Sequence, residues 1–274
     1  MSEAISGSFH RFAQAALHTQ SGDRSRCVFA WRSKQRPVWM GHPGGVLVDV
    51  QFSSAHNDWP RLRDAVVQAE AEGYDTTWVF DHFDGDTLRG DRPLLECFTL
   101  LGAMAAATTT IGLGALVVNV ANRHRAVTAA AASSVQRISG GRLCLGIGAG
   151  GGPDSPWSRE HRERGIALDP DISRRHHAVM LQIEALREVE PMPVIVGVNS
   201  TALARIAGRF ADGVNVGLLH PSAASFIAAA REEAGNRRFE VSAWCPADLV
   251  EARQRAEEMQ IDRLVLTRLE ALGD

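Results

Sequence analysis

Lysine is almost absent from this 274-residue chain: Lys34 is its only one, so arginine carries nearly all the positive charge. The formal net charge of -3 leaves no basic excess to grip a polyanion, and nucleic acid is not an expected partner. Cysteine is sparse too. Cys27, Cys97, Cys144 and Cys245 lie far apart with no CxxC pair, and Cys144, inside an apolar run, reads as a reduced, packed thiol. No apolar run approaches the roughly 20 residues that cross a bilayer. The opening "MSEAISGSFHRFAQAALHTQ" lacks the basic start and unbroken apolar core of a signal peptide. A reduced, cytoplasmic protein with no membrane partner is therefore expected. The adjacent His176 and His177 would point about 100 degrees apart on a helix and chelate poorly, so no metal is expected. Neither GxSxG nor GxxxxGK[ST] occurs.

What is present is a regular alternation. From residue 46 onward, eight short runs read as strands: 46–52, 76–83, 110–120, 142–150, 193–198, 213–217, 239–245 and 262–268. The segments between them read as helices. The first has Asp58 as N-cap, Pro60 in its first turn, Gly73 as C-cap, and an apolar stripe of Leu62, Ala65, Val66 and Ala69. Others open on Pro93, on Asp169 followed by Pro170, near Ser200, and after Pro246. Parallel strands joined by right-handed crossovers follow, and eight units fit a closed (β/α)8 TIM barrel. An open doubly wound sheet is the alternative. Residues 1–45 hold Trp31, Trp39 and "GHPGG" without periodicity, and read as an extension, partly disordered or packed over one barrel end. The catalytic barrel domain is assigned to 46–274.

The fourth strand raises a question of its own. "GGRLCLGIGAGGGPDSPW" (140–157) formally contains GxGxxG at Gly146, Gly148 and Gly151. A dinucleotide fingerprint needs a helix to open at the third glycine, and Pro153 and Pro156 forbid that. Gly146, Gly148 and Gly150 alternate with period two and face one side. Two readings stay open: a flat ligand lying against bare backbone, or tight packing at a narrow barrel layer followed by a flexible loop.

Four segments, 58–83, 93–125, 138–152 and 204–217, together resemble the bacterial luciferase-like monooxygenase superfamily. Within it, they are most similar to the branch of oxidoreductases that use the deazaflavin coenzyme F420. The resemblance covers roughly residues 46 to 268 and implies a (β/α)8 barrel. Asp81-His82-Phe83 matches the family's acidic-His-aromatic signature. It implies that His82 handles a proton or a developing negative charge beside the cofactor ring, with Asp81 orienting the His82 imidazole or hydrogen-bonding the cofactor. "GALVVNV" (114–120) matches the third-strand bulge that carries the ring, often with a non-proline cis peptide. Leu116, Val117 and Val118 would form the apolar shelf, with Asn119 at the ring's polar edge. Gly150, Gly151 and Gly152 match the stretch that holds cofactor phosphate or side-chain oxygens, and Gly197, Val198 and Asn199 match a second cofactor-contacting turn.

Two departures stand out. No acid or Trp follows the fourth-strand glycines directly, which argues against dehydrogenase chemistry of the glucose-6-phosphate type. The long excursion that relatives insert before strand five is reduced to 189–193. The resemblance implies a homodimer and hydride transfer between coenzyme F420 and a small-molecule organic substrate. A reduced-FMN-dependent monooxygenase is the alternative, set second because no arginine precedes Arg159 in the fourth-strand loop. A barrel that binds cofactor without catalysis is a further alternative. His220 and Glu96, near the same barrel end, read as a solvated loop histidine and a helix-opening acid.

Overall fold

The computed structural model describes residues 45–269 except Arg89, Asp91 and Arg92. The reading of the N-terminal extension therefore lies outside the described residues. All eight strand runs form strands: β1 Leu47–Phe52, β2 Thr76–Val79, β3 Gly112–Asn119, β4 Leu143–Gly148, β5 Val194–Gly197, β6 Gly213–Gly217, β7 Glu240–Pro246 and β8 Arg263–Arg268. Each pairs in parallel with its neighbour, and β1 pairs with β8, which closes the barrel. The fold is thus the (β/α)8 barrel expected. The helices are α1 Trp59–Glu72, α2 Cys97–Ala107, α3 Arg125–Ile138, α4 Arg159–Glu163, α5 Ile172–Arg187, α6 Thr201–Phe210, α7 Ala223–Ala234 and α8 Ala252–Glu258. No helix among the described residues is long and apolar enough to cross a membrane.

Local chemistry explains most boundaries. The Asp58 carboxylate caps α1 by accepting from the Arg61 N–H at 3.1 Å, and Gly73 ends it at φ +84. Leu62, Ala65, Val66 and Ala69 are the buried stripe. Two starts shift. α2 begins at Cys97 rather than Pro93, because the Glu96 carboxylate caps it, accepting from the Thr99 N–H at 2.8 Å. α5 begins after Asp171, which accepts from the Ser173 N–H; Asp169 instead accepts from the Asp171 N–H one turn earlier. The path from α5 to β5 is short, as expected, but the link from β4 to α5 is long and contains α4.

The main core lies between barrel and helices. A second, smaller cluster of Trp78, Leu116, Cys144, Ile195 and Val265 fills the barrel interior, with Val117 packed on it. Near the N-terminal end of that interior Arg263 forms an ion pair with Asp49 at 2.8 Å and another with Glu240 at 2.9 Å. Trp78 Nε1–H donates to Asp49 at 2.6 Å.

Outside the barrel, Glu70 on α1 clamps the approach to β3. Its carboxylate accepts the N–H groups of Thr109, Thr110 and Ile111 at 2.9, 2.5 and 2.9 Å. Burial opposes the charge, but the three donors hold its pKa down to about 2. A depressed carboxylate stabilises the fold above its unfolded pKa, and that contribution is lost as pH falls through the folded value. Glu70→Gln should therefore lower the urea midpoint at pH 7, and the gap to wild type should narrow as pH falls from about 4 towards 2. Urea titrations at pH 7 and pH 3 measure it.

Candidate active site

A cavity of about 540 Å³ opens at the C-terminal ends of the strands, the end where (β/α)8 barrels place their chemistry. Its floor comes from β3. The β3–β4 register slips between Ala115 and Val118, and the Leu116–Val117 peptide is cis. Gln51 on β1 supports this bulge: its Nε2 donates to the Leu116 carbonyl at 2.8 Å, and its Oε1 accepts from Thr267 Oγ1 at 3.0 Å.

The glycines next to the bulge now have a reason. A Cβ on Gly197 would lie 2.6 Å from Val117 Cγ1, and one on Gly148 would overlap Val117 Cγ2. A Cβ on Gly146 would meet the Ala115 carbonyl at 2.6 Å and Val117 Cγ1 at 3.2 Å. Of the two readings of these glycines, close packing holds at β4: bare backbone on two strands receives the Val117 side chain, and a flat ligand would rest on Val117 above them. Gly150, at φ +64, packs against the Asn119 amide, Gly151 against Ser155, and Gly152 against the Arg175 guanidinium. Gly148→Ala should therefore push Val117 into the cavity, weaken cofactor binding at least tenfold and cost about 1–3 kcal/mol of stability. Adding Val117→Ala should restore most of both, as measured by cofactor titration and urea denaturation of the single and double variants.

Ten of the twelve expected site residues line this cavity: Asp81, His82, Leu116, Val117, Asn119, Gly150, Gly151, Gly197, Val198 and Asn199. Two do not. Val118 points away from the mouth into the main core, fully buried, because the bulge turns Val117 rather than Val118 inward. Gly152 lies one step beyond the rim, against Arg175.

His82 stands just beyond β2. Its Nδ1 lies 2.8 Å from the Glu160 carboxylate, which is almost wholly buried and comes from α4, 78 residues later. The other Glu160 oxygen accepts the Phe83 and Asp84 N–H groups at 2.7 and 3.1 Å. Burial disfavours the Glu160 charge, yet the hydrogen bond and charge of His82 and the Phe83 N–H hold its pKa below the usual carboxylate range. The carboxylate hydrogen-bonded to the His82 ring is therefore Glu160 and not Asp81. Both Asp81 oxygens are taken by Arg123 at 2.7 and 2.9 Å, and one of them also by the Asn119 N–H and Asn122 Nδ2. No acid sits directly after the β4 glycines, as the sequence shows, but the loop folds back and brings one to His82 from further along.

His161, also buried, lines the cavity beside this pair. Asn122 donates its amide hydrogens to Asp81, so its Oδ1 is the acceptor facing His161 Nε2 at 2.8 Å. His161 Nε2 thus faces an acceptor, while its buried Nδ1 lies 3.8 Å from the Glu160 carboxylate. Burial lowers the His161 pKa despite the nearby Glu160 charge. Trp157 and Trp244, both about half exposed, flank the opening. His220 lies outside the cavity and accepts the Ser222 N–H, a local turn. Glu96 pairs with Arg123 at 2.6 Å besides capping α2.

Sequence reasoning missed Glu160, His161, Gln51 and Trp244. Glu160 and His161 sit in "SREHRERG", whose five-residue helix α4 is too short and too polar for periodicity to mark which side faces the barrel. Gln51 and Trp244 lie on strands whose assignment was correct, where alternation alone would have turned one side of each strand inward.

The site is thus a closed parallel (β/α)8 barrel with a bulged third strand and a histidine at its C-terminal mouth. The profile of the family described as luciferase-like monooxygenase matches residues 40–262, and the chain belongs to that family. It is similar to the 5,10-methylenetetrahydromethanopterin reductase of Archaeoglobus fulgidus, 28% identical over 69% of this chain and 60% of that protein. It is also similar to the F420-dependent glucose-6-phosphate dehydrogenase of Intrasporangium calvum, 31% identical over 59% of this chain and 55% of that protein. The chain thus spans little more than half the length of these curated relatives. Among solved structures, an F420-dependent secondary alcohol dehydrogenase with an F420–acetone adduct superimposes with a TM-score of 0.65, at 15% identity, over 81% of this chain and 93% of that one. A riboflavin lyase with modified FMN and riboflavin gives 0.60, at 13% identity, over 78% and 66%. At such identities these two share the fold.

Proposed function

We propose that the protein is an oxidoreductase that binds coenzyme F420 and transfers hydride between it and an uncharged organic substrate. The observation that carries this reading is the meeting, in one cavity, of an apolar shelf at Leu116–Val117 with a histidine whose Nδ1 is bound to a buried carboxylate. The cavity fits a planar ring: its floor is apolar, and the polar groups Asn119, Asn199 and the Gly150–Gly151 backbone lie at its edges. Bound there, the coenzyme supplies or accepts the hydride. Leu116 and Val117 would hold the ring, Gly150 and Gly151 would offer backbone N–H groups to its phosphate, and Trp157 and Trp244 would wall the substrate side. His82 Nε2 takes or returns the substrate's proton as the hydride moves. No arginine or lysine is among the described lining residues, and both lining acids already have partners, so an uncharged substrate suits the site better than a sugar phosphate.

One observation favours a second reading, a reduced-FMN-dependent monooxygenase. The Arg175 guanidinium approaches the β4 loop at Gly152, supplying from α5 the cation that the loop's own sequence lacks. Titrating purified protein with F420 and with FMN, following quenching of each cofactor's fluorescence, tests the order. Micromolar or tighter response to F420 is expected; tight FMN binding without response to F420 reverses it.

A further inference from the structure

We propose that Glu160 is a positioning residue that fixes His82 with its proton on Nδ1, so that Nε2 is the nitrogen left to accept a proton in the cavity. The inference rests on the functional reading above for its catalytic consequence, but its structural half stands on the chain alone. An ionised carboxylate can only accept hydrogen bonds. Glu160 Oε1 lies 2.8 Å from His82 Nδ1, so that nitrogen must donate. No other ring competes for the oxygen: His161 Nδ1 is 3.8 Å away, beyond hydrogen-bond distance. The second oxygen accepts the Phe83 and Asp84 N–H groups, which pins the carboxylate to the backbone that carries His82. α4 thereby holds the histidine in place and in one tautomer, the arrangement by which a buried carboxylate serves a general base. The charged and titratable groups around His82 are Glu160, Asp84, Asp81 and His161, with Arg123, Arg159 and Arg164 behind them.

The isosteric amide gives a sharp test. In Glu160→Gln the side-chain oxygen can satisfy both the Phe83 and Asp84 N–H groups only by turning its NH2 towards His82 Nδ1. Two backbone donors outweigh one, so the amide donates to Nδ1 and the histidine proton moves to Nε2. The fold is retained because the backbone groups stay paired. Nitrogen-15 spectra of histidine-labelled protein without cofactor read the tautomer, with the His82 signals assigned by their loss in His82→Asn. The expected result is an Nδ1–H tautomer in wild type, Nε2–H in Glu160→Gln, and a fall in kcat of about 100-fold or more with KM nearly unchanged. An unchanged Nδ1–H tautomer in the variant, or an inverted tautomer with kcat within twofold of wild type, overturns the proposal. If wild-type protein turns over no substrate with F420 or FMN, the functional reading fails while the tautomer inversion still supports the positioning role.

Discussion

Replacing Arg263 with methionine should lower stability at pH 8 by about 3–5 kcal/mol, among the largest single losses available in this barrel. Arg263 and Asp49 are both essentially inaccessible, and the guanidinium also bonds Glu240 and Thr76. Methionine fills most of the volume but strands two acids near the barrel's interior. Burial already lifts the Asp49 pKa to about 6, against the lowering influence of Arg263 and Trp78. A carboxylate whose folded pKa is raised binds its proton more tightly in the native state. Its stabilisation is complete below the unfolded pKa and is lost as pH rises through the folded one. Without the arginine, Asp49 is pushed further up and is protonated rather than buried charged. The loss measured by urea midpoint should therefore be smaller at pH 5 than at pH 8, and adding Asp49→Asn should recover part of it. A loss under 1 kcal/mol at pH 8 would mean that the ion pair contributes nothing beyond the hydrophobic residues that could replace it.

His82→Ala should lower kcat by about 100- to 10,000-fold, the range over which a positioned general acid–base group acts. Cofactor affinity should change little, because the shelf of Leu116 and Val117 and the Gly150–Gly151 backbone are untouched. Stability should fall only modestly: the side chain is partly exposed, and Glu160 keeps two of its three donors. Pre-steady-state measurement of cofactor reduction, beside fluorescence titration, separates the two effects. Unchanged turnover would remove His82 from the chemistry and leave the family assignment standing.

The frame of the barrel was legible because burial on both sides of a parallel strand writes continuous apolar runs, and all eight runs are visible. Boundaries were less so. The sequence reads β2 through Phe83, but the strand stops at Val79, and Phe80, Asp81 and His82 beyond it line the cavity. The starts of α2 and α5 were misjudged by two to four residues because proline marks where a helix can begin, whereas Glu96 and Asp171 mark where the N–H groups are actually capped. In the site, residues that follow strand ends were found from short motifs. Val118 falls on the other side because the resemblance marks the bulge as a stretch without its register, and here the bulge turns Leu116 and Val117, not Val118, to the cavity. Glu160 was invisible for a different cause: its role exists only once a loop folds back over 78 residues of chain to His82. Arg175, on α5, likewise approaches the fourth-strand loop from elsewhere in the chain, at Gly152.

Val117 is a single movable tile set in a socket of missing side chains. Gly146, Gly148 and Gly197 leave it room on one side, while the interior cluster of Trp78, Leu116, Cys144, Ile195 and Val265 packs on it, so a change of size there moves the cavity floor and must be absorbed by that cluster.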